Sequence, residues 1–139
     1  KTDAGSGSLE QMALAEFCKE NFNSHVKTLK IKLQKKSEAI CNALDKYFGS
    51  SAEYKKPDGG IFVWVDMHKK VDTSRLYELA LKDGVAINPG NEWSINKSGR
   101  HKMRLCFGNP SIKEIDEGIK RLAIICRKEF GIPTKIANL

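Results

Sequence analysis

The run Met103-Arg104-Leu105-Cys106-Phe107 limits the fold most tightly, because it sets one arginine inside an otherwise apolar strand. Strand side chains alternate faces, so Met103, Leu105 and Phe107 point one way and Arg104 and Cys106 the other. A guanidinium does not give up its proton, so a buried arginine needs a partner. Its flat fork matches a carboxylate or phosphate through two parallel hydrogen bonds. Arg104 is therefore either an outward residue of an edge strand or the base of a small anion site.

Two further runs read as strands. Pro57-Asp58-Gly59-Gly60 is a turn that launches Ile61-Phe62-Val63-Trp64-Val65, apolar on both faces and so expected as a central strand covered on both sides. Val85-Ala86-Ile87 is expected as a short strand stopped by Pro89-Gly90. Between and around these runs lie helical patterns. Residues 9–22 carry a loose stripe, interrupted by Asn21 and Asn23. Ser24 is expected to cap a longer helix to Phe48 with the stripe Val26, Leu29, Leu33, Ile40, Leu44 and Phe48, and Gly49 to stop it. Asp72 or Ser74 caps a helix ending before Gly84, with Leu76, Leu79 and Ala80 inward. Ser111-Ile112-Lys113-Glu114 spells a capping box that starts the last helix, with Ile112, Ile115, Ile119, Leu122 and Cys126 on one side and Gly131 at its end. The order α, α, β, α, β, β, α implies an α+β two-layer sandwich, a small three-stranded sheet with helices on one face.

Composition narrows the function. The net charge of +7 comes from dispersed lysines without the interleaved aromatics of a base-stacking surface, which favours a solvated surface over nucleic-acid binding. No apolar run is long enough to span a membrane, and the first residues lack the order of a signal peptide. The chain lacks an initiator methionine, so its start is expected to be trimmed. Cys18, Cys41, Cys106 and Cys126 are far apart and His25, His68 and His101 are isolated, so the expectation is buried free thiols in a reducing cytosol and no metal site.

Three segments acquire meaning together: Pro57 to Trp64, Gly84 to Trp93, and Met103 to Phe107. In this order and spacing they closely resemble the C-terminal small domain of class I/II aminotransferases, pyridoxal-phosphate enzymes of the aspartate aminotransferase fold. The match is best with the branch that handles kynurenine, 2-aminoadipate and aromatic amino acids. Thr2-Asp3-Ala4-Gly5-Ser6, Gln11 and Leu14-Ala15-Glu16-Phe17 resemble the segment after the cofactor lysine region in that family.

The resemblance implies that residues 1–22 are the end of a large domain and 23–139 the small domain with its long connecting helix. It implies that Arg104 binds the substrate α-carboxylate and that Trp93 flanks the substrate, where the family usually has phenylalanine. Gly59 and Gly60 match the turn into the strand beside the active site, with Gly60, Asn88 and Asn91 as weaker contacts. Pyridoxal 5'-phosphate, its Schiff-base lysine and the catalytic residues are expected in a large domain missing from this chain. Ser24-His25-Val26-Lys27 and Ser94-Ile95-Asn96-Lys97 spell the S-x-x-K pattern, yet neither has phosphate-binding neighbours. The full enzyme is expected to be a cytoplasmic homodimer that moves an amino group between an amino acid and a 2-oxo acid, the fragment alone inactive. Two other readings stay open. One is the effector-binding, aminotransferase-like body of a winged-helix transcription regulator; the other is a basic α+β interaction module.

Overall fold

The computed structural model describes residues 5, 7–95 and 98–136. Cα packing divides the chain into two compact units, Lys1–Lys32 and Leu33–Leu139. A single helix, α1 (Ser8–Tyr47), supplies residues to both. The expected break near residues 21–24 is absent. Asn21 and Ser24 instead turn their side chains back onto helix carbonyls: Asn21 Nδ2 donates to Phe17 O at 3.1 Å and Ser24 Oγ to Asn21 O at 3.0 Å. These bonds occupy the polar groups without interrupting the backbone ladder, so Ser24 is a mid-helix residue and not a cap. In the first unit Leu9, Met12, Leu14, Phe17, Phe22 and Leu29 are exposed. The Phe17 ring meets His25 edge-on at 5.5 Å.

In the second unit the closing turns of α1 bury Ile40, Cys41, Ala43, Leu44 and Tyr47. Gly49, at φ +55°, takes the left-handed step that ends the helix. Four strands follow: β1 (Ala52–Tyr54), β2 (Phe62–Met67), β3 (Asn88–Pro89) and β4 (Lys102–Cys106), in the antiparallel order β1-β2-β4-β3. The sheet thus has one strand more than expected. β1 is a short edge that pairs Ala52 with Met67 and Tyr54 with Val65. Its sequence, Ala-Glu-Tyr, is too short to show a period.

α2 (Thr73–Lys82) is capped by Asp72, whose carboxylate accepts from Ser74 N and Arg75 N. α3 (Ile112–Phe130) has the full capping box, with Ser111 and Glu114 bonded reciprocally, and Gly131 closes it at φ +62°. Ile115, Ile119, Leu122 and Cys126 of α3 are buried as the stripe requires, whereas Ile112 is exposed. One continuous core joins these side chains to Leu76 and Ala80 of α2, Val63, Val65 and Met67 of β2, and Met103 and Leu105 of β4.

Two expectations are corrected. β2 is not covered on both sides: Phe62 is 37% and Trp64 46% exposed, opposite in phase to the buried Val63 and Val65. Apolar character on the second face therefore reflects something other than burial in this unit. The strand expected at Val85-Ala86-Ile87 begins one residue after that run, at Asn88. Val85 N donates to Ala80 O at 2.8 Å and Gly84 N to Leu81 O at 3.1 Å, so Val85 finishes α2 before the chain can join the sheet.

The four cysteines are free. Cys41 and Cys126 are buried, and burial pushes the Cys126 thiol up to about 12. Cys18 is half-buried and Cys106 exposed, so burial does not hold for all four. Cys106 shares the outward phase of Arg104 on β4. Among the described residues no helix is long and apolar enough to cross a membrane.

Candidate functional site

Arg104 stands at the centre of the sheet's open face. Its Cα is opposite Trp64 of β2 on one side and Asn88 of β3 on the other. Directly paired residues share a face, so this register gathers an arginine, an indole and an amide. The guanidinium carbon lies 4.1 Å from the Phe62 ring centroid and 3.9 Å from the Trp93 ring centroid. Phe62 reaches it from β2, and Trp93 from the single 3-10 turn Gly90–Trp93 that follows β3. Each contact is a cation–π interaction of roughly 0.5–1 kcal/mol where water has access.

Charge balance at this face is uneven. Asp66 of β2 accepts a hydrogen bond from Lys102 Nζ at 2.6 Å and lies 3.3 Å from His101 Nε2. Arg104, two residues along β4 from Lys102, has no acidic partner among the described residues. Its Nε is buried and makes no hydrogen bond there. The guanidinium is thus half-buried against two rings, and an arginine fork can pair with a carboxylate or phosphate through its remaining N–H groups.

The weaker candidates divide. Asn88 shares the face of Arg104 by register. Asn91 holds a buried Oδ1 without a hydrogen-bond partner, inside the turn that carries Trp93. Gly60 adopts φ +77°, and a Cβ there would meet nothing within 4 Å, so it is glycine for its backbone conformation and not for space. Phe62 is the residue missed from the sequence. Its signal was present in the alternation Phe62, Trp64, Asp66, which opposes Cys106, Arg104 and Lys102 in turn.

Lys27 of the first S-x-x-K run is exposed on α1, and Asn96 and Lys97 of the second lie outside the described residues, as do Thr2, Asp3, Ala4 and Ser6. Lys102, the lysine that β4 places on the open face, is committed to Asp66. The chemistry of Arg104 with its two rings suits a small anion.

Comparison with known proteins agrees with this architecture. The profile of the family described as aminotransferase class I and II matches residues 4–122. The chain is 32% identical to the 2-aminoadipate transaminase of Thermus thermophilus over 82% of its own length and 29% of that protein. It is also 32% identical to an uncharacterized HTH-type transcriptional regulator, YisV, of Bacillus subtilis, over 92% of its length and 26% of the regulator. The crystal structure of LysN, the alpha-aminoadipate aminotransferase of Thermus thermophilus complexed with N-(5'-phosphopyridoxyl)-L-leucine, superposes with a TM-score of 0.82 at 29% identity, over 91% of this chain and 32% of that one. The chain thus spans between about a quarter and a third of these relatives. With the family profile running over most of its length, the chain belongs to the class I and II aminotransferases.

Proposed function

We propose that this chain is the C-terminal small domain of a pyridoxal-phosphate-dependent aminotransferase and that Arg104 holds the α-carboxylate of its substrates. The observation that carries the reading is the Arg104 guanidinium, packed against Phe62 and Trp93, with a buried, unbonded Nε and no acidic partner among the described residues. Rings packed against the guanidinium restrict its rotation, and its in-plane edge is the direction a carboxylate needs for two parallel hydrogen bonds. An amino acid donor and a 2-oxo acid acceptor share that carboxylate, so one clamp serves both halves of the reaction. Fixing it orients the α-carbon substituents for transfer.

On this reading residues 1–22 end the large domain and residues 23–139 form a two-layer small domain with its connecting helix. Pyridoxal phosphate would be held by the rest of a cytoplasmic homodimeric enzyme and would supply the electron sink for amine transfer there. This chain contributes binding and orientation through Arg104 and the exclusion of water by Phe62 and Trp93. Alone it is inactive. Adding pyridoxal phosphate and then borohydride tests that statement, and a reduced adduct on one specific lysine overturns it.

The carboxylate role is tested on the chain by following arginine Nε–H signals while titrating 2-oxoglutarate. The expected result is saturable movement of the Arg104 signal with a Kd on the order of 1 mM, and its loss in Arg104→Lys. A signal that does not move overturns the assignment. A second reading is favoured by the similarity to YisV, in which Arg104 holds the carboxylate of an effector in a transcription regulator. The reading frame upstream of Lys1 decides between them: a winged helix selects the regulator.

A further inference from the structure

Trp93 reaches Arg104 from a short 3-10 turn, and the packing under that turn is unusually close. A Cβ built on Gly90, its first residue, would sit 2.5 Å from Gly99 O and 2.7 Å from Lys102 O. A Cβ on Gly99 would meet the backbone of Gly90 and, at 3.0 Å, Asn91 N. Neither glycine has a positive φ, so both are glycine for space and not for conformation. Backbone rests on backbone, with no flexible side chain to yield.

The loop that carries Gly99 is itself anchored. Thr73 N and Thr73 Oγ1 both donate to Arg100 O at 2.9 Å. Arg100 Nε donates to Asp72 Oδ2 at 3.1 Å, and Met67 N donates to His101 O at 2.8 Å. Lys102 N closes the loop on Gly99 O at 2.9 Å. A rigid line therefore runs from the start of α2 through Arg100 and Gly99 to Gly90, and from there along one turn to Trp93.

We propose that Gly99 is a positioning residue for the Arg104 site, acting through Gly90 to hold the Trp93 indole against the guanidinium. The consequence for carboxylate binding rests on the reading of Arg104 given above; the positioning of Trp93 does not. A side chain at position 99 lifts the turn, withdraws the indole and frees the guanidinium to rotate, so affinity falls although no group that touches the anion has changed.

The test uses the whole chain, labelled at arginine side-chain nitrogens, with the Arg104 Nε–H assigned by its absence in Arg104→Lys. In the parent chain the flanking rings shift this proton through their ring currents. Gly99→Ala is expected to keep cooperative thermal unfolding while the Arg104 signal loses much of that shift, and 2-oxoglutarate binding weakens by about two- to fivefold, the loss of one cation–π contact. Gly118→Ala, whose Cβ meets nothing within 4 Å, is expected to leave both readings unchanged. An Arg104 signal that stays in place in folded Gly99→Ala overturns the proposal. Should Gly99→Ala fail to fold, Gly90→Ala presses on the same contact from the side of the turn, and an unmoved signal there overturns it equally. A parent chain whose ring-shifted signal ignores 2-oxoglutarate refutes the carboxylate reading alone.

Discussion

Asp66 accepts a 2.6 Å hydrogen bond from Lys102, whereas Arg104, two residues along the same strand, has no acidic partner among the described residues. Both cations share the open face of β4, yet one acid of β2 takes Lys102 and His101 together. The sheet thus separates a neutralised cation from an available one over a single repeat of the pleat.

Arg104→Lys is expected to weaken carboxylate binding by about ten- to a hundredfold, because an ammonium cannot replace a bidentate pair worth roughly 1.5–3 kcal/mol. Stability should fall by no more than about 1–2 kcal/mol, the two ring contacts being what Arg104 contributes to the fold among the described residues. Calorimetric titration with 2-oxoglutarate and thermal unfolding read the two effects separately, and in a full-length enzyme kcat/KM for both substrates should fall together.

Phe62→Leu and Trp93→Leu are each expected to cost about two- to fivefold in the same affinity through loss of a cation–π contact. Applied together they should cost more than either one, because the guanidinium then lacks a ring on either side. A double variant that binds as well as the parent would remove the rings from the site.

Tyr47 donates from its hydroxyl to Asp116 Oδ2 at 2.8 Å and, with Lys46, holds the Asp116 carboxyl below the usual carboxylate range. A lowered pKa means that this contribution is complete above the ordinary carboxylate value and is lost as pH falls through the lowered one. Tyr47→Phe should return the carboxyl toward its ordinary value and flatten the loss of thermal stability as pH falls below that ordinary value. Melting curves across that range of pH, with Asp116→Asn as the reference, check the sign.

Ser111→Ala is expected to destabilise the chain by about 1 kcal/mol through loss of the α3 cap. Leu122→Ala, at a fully buried position, should cost about 2–5 kcal/mol. Denaturant unfolding midpoints should keep that order.

How well each element could be read follows from how local its determinants are. α3 is legible because its start, stripe and stop all lie in its own residues: Ser111 with Glu114, Ile115 to Cys126, Gly131. β4 and the outward phase of Arg104 are legible for the same reason. The continuity of α1 is not, since Asn21 and Ser24 are equally good caps and carbonyl-bonding residues, and only the formed helix decides. Apolar residues at Phe62 and Trp64 read as core because a period of two cannot separate burial from a ring placed beside a guanidinium. Trp93 was found through the motif that carries it, whereas Phe62 needed the sheet register.

The way α2 ends has a consequence for how such chains can diverge. Val85 is tied back to Ala80 and Asn88 is paired with Arg104, so Ala86 and Ile87 form a spacer of set length. Ile87 is buried in the core, so substitution there is limited to side chains of similar volume, and one inserted or deleted residue reverses which side chains of β3 face the arginine. Lineages built on this sheet have to keep that spacer's length and an apolar residue at its buried second position; variation in length has to be accommodated in other loops.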